Sequence, residues 1–207
     1  MSDSEEDLFV DSNGHRCCWW CAGDDTYQTY HDQEWGVPVR DDRQLFEKIC
    51  LEGFQAGLSW LTILKRRDRF RQVFHHFHAD RVARMRPQQI ERLLQDPGII
   101  RHRGKIEAVI HNASRAKELQ KEYGSLADFF WSYQPLTPKP VQHRRDVQAN
   151  TAESRQMSGE LKKRGWKFVG PTTCYAFMQS MGIVNDHLVG CHRYRPVEAM
   201  RRQQSGG

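Results

Sequence analysis

Apolar side chains recur at three- and four-residue steps through most of the chain, and this spacing constrains the fold more than any other feature. Residues spaced in this way lie on one face of an α-helix, so each stretch predicts a helix with one buried side. One clear example follows Asp41 and Asp42, either of which can cap a helix. Its apolar residues are Leu45, Phe46, Ile49 and Cys50. Because no segment sustains an alternation of apolar and polar residues, the predicted class is all-α.

Later segments repeat this spacing and carry signals for where helices begin and end. Asp80 can cap one helix, and Pro87 can open the next. Gly124 is typical of a helix end, and Ser125 with Asp128 resembles a capping box.

The ends of the chain are polar, and they enclose a single predicted domain. We expect a disordered acidic extension at residues 1–15, one folded domain at residues 16–195 and a flexible tail at residues 196–207. Residues 134–150 contain three prolines and no sustained period, so a loop is expected there.

The chain has a formal net charge of +5, which suits a polyanionic partner without requiring one. No apolar run approaches the roughly 20 residues of a membrane span, and the acidic start MSDSEEDLF does not resemble a signal peptide. We therefore expect a cytoplasmic protein that does not bind membranes. In that compartment the six cysteines are expected to be free thiols or metal ligands.

Cysteine and histidine residues form two pairs near the two ends of the chain. Cys18 and His31 are separated by twelve residues, while His187 and Cys191 are four apart and would share one face of a helix. Together they would complete a Cys₂His₂ tetrahedron, a common ligand set for structural zinc. The spacing leaves open that buried thiols and hydrogen-bonded histidines produce the same pattern, or that neighbouring residues serve as ligands. Those neighbours are Cys21 and His192.

A short turn at residues 166–170 separates a basic helix ending near Gly165 from a helix starting at Pro171. Two helices joined in this way form a helix–hairpin–helix, and bare N–H groups after Gly170 can hold a phosphate. Nearby positive charge comes from Lys162, Lys163, Arg164 and Lys167. The alternative is an ordinary hairpin with a solvated basic face, and the basic stretch at 101–105 allows the same two interpretations.

Four segments carry long, specific motifs: YHDQEWGVP (30–38), FEKICLEGFQAGLSWLTILKRR (46–67), GIIRHRGKIEAVIHNA (98–113) and KKRGWKFVGPTTCYAFMQSMGIVNDHLVGC (162–191). In this order they resemble the bacterial 3-methyladenine DNA glycosylase I family, over about residues 16 to 194. The resemblance implies a helix–hairpin–helix DNA glycosylase fold with a zinc site that joins the terminal segments. It also implies base-excision repair, in which the N-glycosidic bond of 3-methyladenine is hydrolysed after base flipping.

The resemblance further implies roles for individual residues. One structural zinc per chain would be bound by Cys18, His31, His187 and Cys191. The base pocket would contain Trp20, Tyr30, Glu52 and Trp60. DNA contacts are expected at Arg101, Lys105, Lys167, Gly170 and Thr172. The expected partner is double-stranded DNA containing alkylated adenine, and the expected state is a monomer.

The pocket residues suit a flipped, alkylated purine. Trp20 and Trp60 can stack on it, with a cation–π contribution because N3-alkylation makes the base cationic. Tyr30 can offer a hydroxyl, and Glu52 can accept from the exocyclic amine, so catalytic roles are expected for both. The alternative is that the tryptophans belong to the core and that Glu52 is solvated.

Three positions depart from the wider superfamily. Asn185 stands where a catalytic Asp is usual, Thr172 where lyases carry a Lys, and Phe168 where the first hairpin glycine is usual. Asp186 is one residue further on and is expected to point elsewhere. A cationic purine leaves as a neutral base, so a strong general base is not required. Thr172 disfavours a glycosylase-lyase, and the complete set of pocket residues disfavours a zinc-stabilised DNA-binding module without turnover.

Overall fold

The computed structural model describes residues 7–205, and helices dominate them, as the apolar spacing predicts. The helices are α1 (Asp25–Gln33), α2 (Asp42–Gln55), α3 (Trp60–Leu64), α4 (Arg67–Val73), α5 (Ala79–Val82), α6 (Pro87–Leu93), α7 (Arg103–Tyr123), α8 (Leu126–Trp131), α9 (Ala152–Lys163), α10 (Pro171–Ser180) and α11 (Tyr194–Ser205). Short 3₁₀ turns occur at Trp19–Cys21, His75–Phe77 and Arg144–Asp146. Two short strands, β1 (Leu8–Val10) and β2 (Arg16–Cys18), pair antiparallel.

Most of the predicted helix ends are confirmed. Asp41 caps α2 by accepting a hydrogen bond from the Gln44 N–H, and the Ser125 hydroxyl accepts from the Asp128 N–H at the start of α8. The prediction for Asp80 is wrong, because α5 begins one residue earlier, after an extended His78. The Asp80 carboxylate instead pairs with Lys117 Nζ at 2.6 Å.

Helix α2 lies at the centre of the fold, where it packs against α7, α8 and α10. Nearly all of its residues from Leu45 onward are buried, because neighbouring helices cover it on several sides. The surrounding core is rich in phenylalanine, whose rings supply much of the buried apolar area. Fully buried members are Phe46, Phe54, Phe70, Phe74, Phe77, Phe129, Phe130 and Phe177.

Both chain ends contain more structure than their composition predicts. Leu8 in β1 pairs with Cys18 and packs on the small cluster that contains Leu188, so the disorder predicted for residues 1–15 is wrong for residues 8–10. Residues 1–6 lie outside the described part of the chain. The flexible tail predicted from residue 196 is helical as far as residue 205. Its Arg201 is buried and donates to the carbonyls of Gly182 and Ile183 at 2.8 and 2.7 Å.

Within residues 7–205, no helix has both the length and the apolar character needed to cross a bilayer.

Candidate active site and metal cluster

A cavity of about 240 Å³ opens between the Trp19–Cys21 turn, α1, α2, α3 and α10. All four side chains predicted for the base pocket lie on its wall: Trp20, Tyr30, Glu52 and Trp60. The remaining wall residues are Trp19, Tyr27, Trp35, Gln55, Val147, Ala176, Gln179 and Asp186. We call this space the tryptophan cavity.

Half of the residues on the cavity wall are aromatic. The Tyr30 ring lies 5.5 Å from that of Trp60 and 6.4 Å from that of Trp20, between centroids. Trp35 packs against Trp20 at 4.9 Å. The indole Nε1 of Trp60 is buried and has no hydrogen-bond partner among the described residues. A buried donor without a partner is costly.

Glu52 is buried beside the cavity, where a neighbouring lysine compensates its charge. Lys48 lies one helical turn earlier on α2, and its Nζ is 3.0 Å from Glu52 Oε1. Burial raises the pKa of Glu52, and the Lys48 charge opposes that rise. Sequence reasoning missed Lys48, although its spacing of four residues from Glu52 on a predicted helix is typical of an ion pair.

Asp186 also lies on the cavity wall, so the expectation that it points elsewhere is wrong. Its Oδ2 accepts from the Tyr175 hydroxyl at 2.6 Å and from Gln179 Nε2 at 2.7 Å. These two hydrogen bonds from α10 hold the carboxylate at the cavity wall. Asn185 instead donates to the Tyr194 carbonyl at 3.1 Å, on the side of the last helix.

Cys18, His31, His187 and Cys191 converge next to the cavity, and all four are buried. Cys191 Sγ lies 3.4 Å from His31 Nε2 and 3.6 Å from His187 Nδ1, and Cys18 Sγ lies 3.8 Å from the same His187 nitrogen. All four ligand atoms lie within 4.8 Å of one another. Two sulfurs and two imidazole nitrogens at this separation can hold one metal ion. We call this group the Cys₂His₂ cluster.

The second nitrogen of each imidazole also has a partner. His31 Nδ1 lies 2.7 Å from Asp32 Oδ1, and His187 Nε2 lies 3.0 Å from the Trp35 carbonyl oxygen. Partners of this kind fix the tautomer and the orientation of metal-binding histidines. The Cys18 thiol and both imidazoles lower the pKa of Cys191, which favours a thiolate there.

The prediction that His187 and Cys191 share a helical face is wrong, because residues 185–191 form an irregular turn. The Cys191 N–H donates to the Leu188 carbonyl at 2.7 Å, and this turn brings both ligands inward. The alternative ligands make other contacts. Cys21 Sγ donates to the Cys18 carbonyl, and His192 Nε2 lies 2.9 Å from Asp32 Oδ1, in a second group formed by Cys17, His31, Asp32 and His192.

Side-chain hydrogen bonds hold the backbone of the turn between α9 and α10. Phe168 takes a left-handed φ of +56°, so the backbone turns there without the usual glycine, at a cost in strain. The Asn112 side chain bonds both the N–H and the carbonyl of Lys167, each at 2.9 Å. Ser158 donates to the Val169 carbonyl at 2.6 Å. Gly170 then caps α10, with Pro171 as its first residue, as predicted.

The side chains predicted to meet DNA differ in exposure. Arg101, Lys167 and Thr172 are exposed. Lys105 is buried, and its Nζ donates to the carbonyls of Phe54 and Ala56 at 2.9 and 2.6 Å, so its placement contradicts the predicted DNA contact. The carbonyls at the end of α2 need a donor, and Lys105 supplies it. Arg164, counted among the basic residues of the hairpin, pairs with Glu122 and Glu160.

Comparison with known proteins shows the family to which the chain belongs. The methyladenine glycosylase family model matches residues 20–194, and the chain belongs to that family. This membership confirms the resemblance seen in the motifs. The chain is 50% identical over 179 residues to DNA-3-methyladenine glycosylase 1 of Escherichia coli (strain K12), covering 86% of this chain and 96% of that protein. It is 47% identical over 176 residues to DNA-3-methyladenine glycosylase of Haemophilus influenzae, covering 84% and 95%.

Solved structures show the same fold. A crystal structure of 3-methyladenine DNA glycosylase I superposes with a TM-score of 0.82 at 49% identity, covering 85% of this chain and 98% of that one. The enzyme from Staphylococcus aureus superposes with a TM-score of 0.80 at 38% identity, covering 84% and 95%. A Tyr-to-Phe variant solved in complex with 3-methyladenine gives 0.80 at 37% identity, covering 84% and 96%.

Proposed function

We propose that the protein is a monofunctional DNA glycosylase that removes 3-methyladenine from double-stranded DNA in base-excision repair. The observation that carries this proposal is the tryptophan cavity, which joins aromatic walls to a buried carboxylate, Glu52. The relatives of the chain are named as 3-methyladenine glycosylases, and they are identical to it at about half of the aligned residues.

In this proposal the cavity accepts the purine after it has been extruded from the duplex. Trp20 and Trp60 replace the stacking that the base loses, and their π-faces favour the cationic ring over neutral adenine. Glu52 accepts from the exocyclic amine, and Tyr30 presents its hydroxyl to the same base. Because the alkylated base leaves as a neutral molecule, binding and desolvation lower most of the barrier.

Asp186 supplies a second buried carboxylate on the same wall. Its Oδ2 is held by Tyr175 and Gln179, so the negative charge is fixed in place before substrate binds. A preorganised negative charge stabilises the positive sugar that forms as the glycosidic bond breaks. Asp186 therefore takes an electrostatic role in this proposal.

We also propose that the Cys₂His₂ cluster binds one structural zinc ion per chain. The fit rests on two soft sulfurs and two imidazoles, with the second nitrogen of each imidazole already bonded. Four protein ligands leave no position for a reactive water, so the ion would join the terminal segments rather than take part in the reaction.

For DNA binding, we propose that the turn at residues 166–170 forms the hairpin of a helix–hairpin–helix. The exposed side chains of Arg101, Lys167 and Thr172 would contact phosphates. So would the N–H groups at the start of α10, which no side chain of the described residues caps. Such contacts do not require a second protein chain, so we propose a monomer, acting on DNA in the bacterial cytoplasm.

Release of free 3-methyladenine from alkylated duplex DNA tests this function. We expect release well above the spontaneous rate, with the abasic strand left uncut because Thr172 replaces the lyase lysine. Binding to alkylated DNA without release would support the non-catalytic DNA-binding module. Cleavage of the abasic strand would support a lyase.

A further inference from the structure

The Lys48 ammonium is buried directly behind the tryptophan cavity. The side chain is 7% exposed and contacts three wall residues, although Lys48 itself does not line the cavity. Its Nζ donates to Tyr30 Oη at 2.7 Å and lies 3.0 Å from Glu52 Oε1. It also lies 3.2 Å from the ring centroid of Trp60. The ammonium, which has three donors, thus contacts three residues of the proposed pocket.

These contacts determine what each neighbour can offer a ligand. Tyr30 Oη accepts from Lys48 and makes no other hydrogen bond within the described residues, so its own O–H is available to donate. Glu52 uses Oε1 for Lys48, which leaves Oε2 available as an acceptor. Without Lys48, a buried Glu52 would favour its protonated form, and a protonated carboxyl donates as well as accepts.

A donor beside an anionic acceptor matches the edge of adenine. Adenine presents an amino donor next to the ring acceptor N7, whereas guanine presents two acceptors, O6 and N7. An anionic Glu52 therefore attracts the adenine edge and repels the guanine edge. A protonated Glu52 would lose this discrimination.

We propose that Lys48 is a specificity-determining positioning residue, which holds Glu52 as an anionic acceptor and Tyr30 as a donor so that the pocket selects adenine-type over guanine-type alkylated bases. This inference rests on the proposed glycosylase function and adds a residue that acts only through its neighbours. Burying the Lys48 ammonium has an energetic cost. Burial lowers the pKa of Lys48 to about 8, although the charge of Glu52 opposes this change.

Several titratable groups of the described residues surround Lys48 and Glu52. From α1, Tyr30 contacts Lys48, and burial and the Glu52 charge raise the pKa of Tyr27. The Arg67 and Glu34 side chains, themselves paired at 2.8 Å, act on Lys48 from α4 and from the end of α1. Asp186 also faces the cavity, from the segment that follows α10. Among these groups, removal of Lys48 acts most directly on the pKa of Glu52, which should rise further above its usual range.

The test measures release of 3-methyladenine and 3-methylguanine from the same methylated DNA between pH 6 and pH 9, corrected for spontaneous loss. For Lys48→Met at pH 6.5 we expect 3-methyladenine release to fall about tenfold and the adenine-to-guanine preference to fall about fivefold. Both differences from wild type should narrow as the pH rises toward 9. A higher pH ionises Glu52 without help, and the wild-type Lys48, with a pKa of about 8, itself loses its charge there. Lys48→Gln, which keeps a donor without the charge, should shift in the same direction and guards against a folding defect.

Two further variants isolate the mechanism. In a Glu52→Gln background, Lys48→Met should change release and preference less than twofold, since the amide that replaces the carboxylate cannot ionise. Lys117→Met removes an exposed ion-paired lysine on α7 and should leave the pH profile unchanged.

Equal loss of both products at every pH, or an unchanged preference, would overturn the proposal. If the wild type released neither base, the proposed function would fail instead. Lys48 would then be judged by calorimetric binding of free 3-methyladenine, which should be weaker in Lys48→Met than in wild type at pH 6.5, with a difference that narrows as the pH rises toward 9. Binding unaffected by the substitution would overturn the Lys48 proposal.

Discussion

The Cys₂His₂ cluster and the Lys48–Glu52 pair are both buried and polar, and they lie almost next to each other, since Tyr30 and His31 are consecutive residues of α1. They differ in how completely their atoms are satisfied. Both imidazoles of the cluster have a partner at each nitrogen. In the pair, Glu52 uses Oε1 for Lys48 and makes no further hydrogen bond within the described residues, and the Tyr30 hydroxyl next to it has no acceptor there. A closed set of ligands suits a structural ion, whereas unpaired polar atoms beside a cavity suit a ligand that comes and goes.

They also differ in how the chain assembles them. Cys18 and His187 are 169 positions apart and meet only when both ends have docked. Lys48 and Glu52 are neighbours on one helix turn and are positioned as soon as α2 forms. Damage to the cluster should therefore reduce stability first, and damage to the pair should reduce activity first.

The largest effect is expected for Cys191→Ser. Removing one thiolate should abolish tight metal binding and lower the free energy of unfolding by roughly 3 kcal/mol or more, because metal binding and folding are coupled. Elemental analysis of the purified protein and thermal unfolding would measure both. Wild-type protein that is fully stable and active without metal would contradict the structural role.

Glu52→Gln should reduce activity rather than stability. We expect excision of 3-methyladenine to fall about 100-fold, equivalent to about 2.7 kcal/mol of transition-state stabilisation, with little loss of thermal stability. Single-turnover release and DNA titration would separate rate from affinity, and the affinity should change less than about threefold. Unchanged rates would show that Glu52 has no part in the reaction.

Asp32→Asn tests the outer contacts of the cluster. Asp32 Oδ1 accepts from both His31 and His192, and the amide oxygen of Asn would preserve shape with less charge. Affinity for zinc should fall about tenfold, measured by competition with a chelator, while release of 3-methyladenine by the metal-loaded variant stays within about twofold of wild type. An unchanged zinc affinity would show that Asp32 does not support His31.

The smallest effect is expected for Trp20→Phe, at the boundary between the two sites. The Trp20 ring lies 5.2 Å from that of His31 and also lines the cavity. Less stacking area should slow excision by about threefold, whereas zinc affinity should stay unchanged. A larger change in zinc affinity than in rate would place Trp20 with the cluster rather than with the cavity.

Much of this organisation was predictable from sequence. Helical spacing indicated the class, and local signals located helix ends at Asp41, Ser125 and Pro171, because a cap depends on only a few neighbouring residues. The motifs named the four cavity residues and the four cluster residues through resemblance. Residue spacing alone left the ligand set open, since a count of cysteines and histidines does not reveal which ones meet.

Other features depended on contacts between distant residues. Polar composition predicted disorder for the lead and the tail, yet Leu8 and Arg201 each find partners far along the chain. Lys105 looked like a basic surface residue, but its ammonium is used by the last carbonyls of α2. Asp186 was expected to point away from the cavity, and hydrogen bonds from α10 direct it to the wall.

The sequence by itself therefore determined the helical class, many of the helix ends and, through its motifs, the family, because these depend on local spacing and on residue identity. Tertiary structure alone decided that residues 185–191 bend into a turn that brings His187 and Cys191 together. It also decided that the Lys48 ammonium is buried against Tyr30 and Trp60. The physical reason is the same in both cases. A buried charge or ligand is stable only where partners from elsewhere in the chain surround it, and local sequence does not specify those partners.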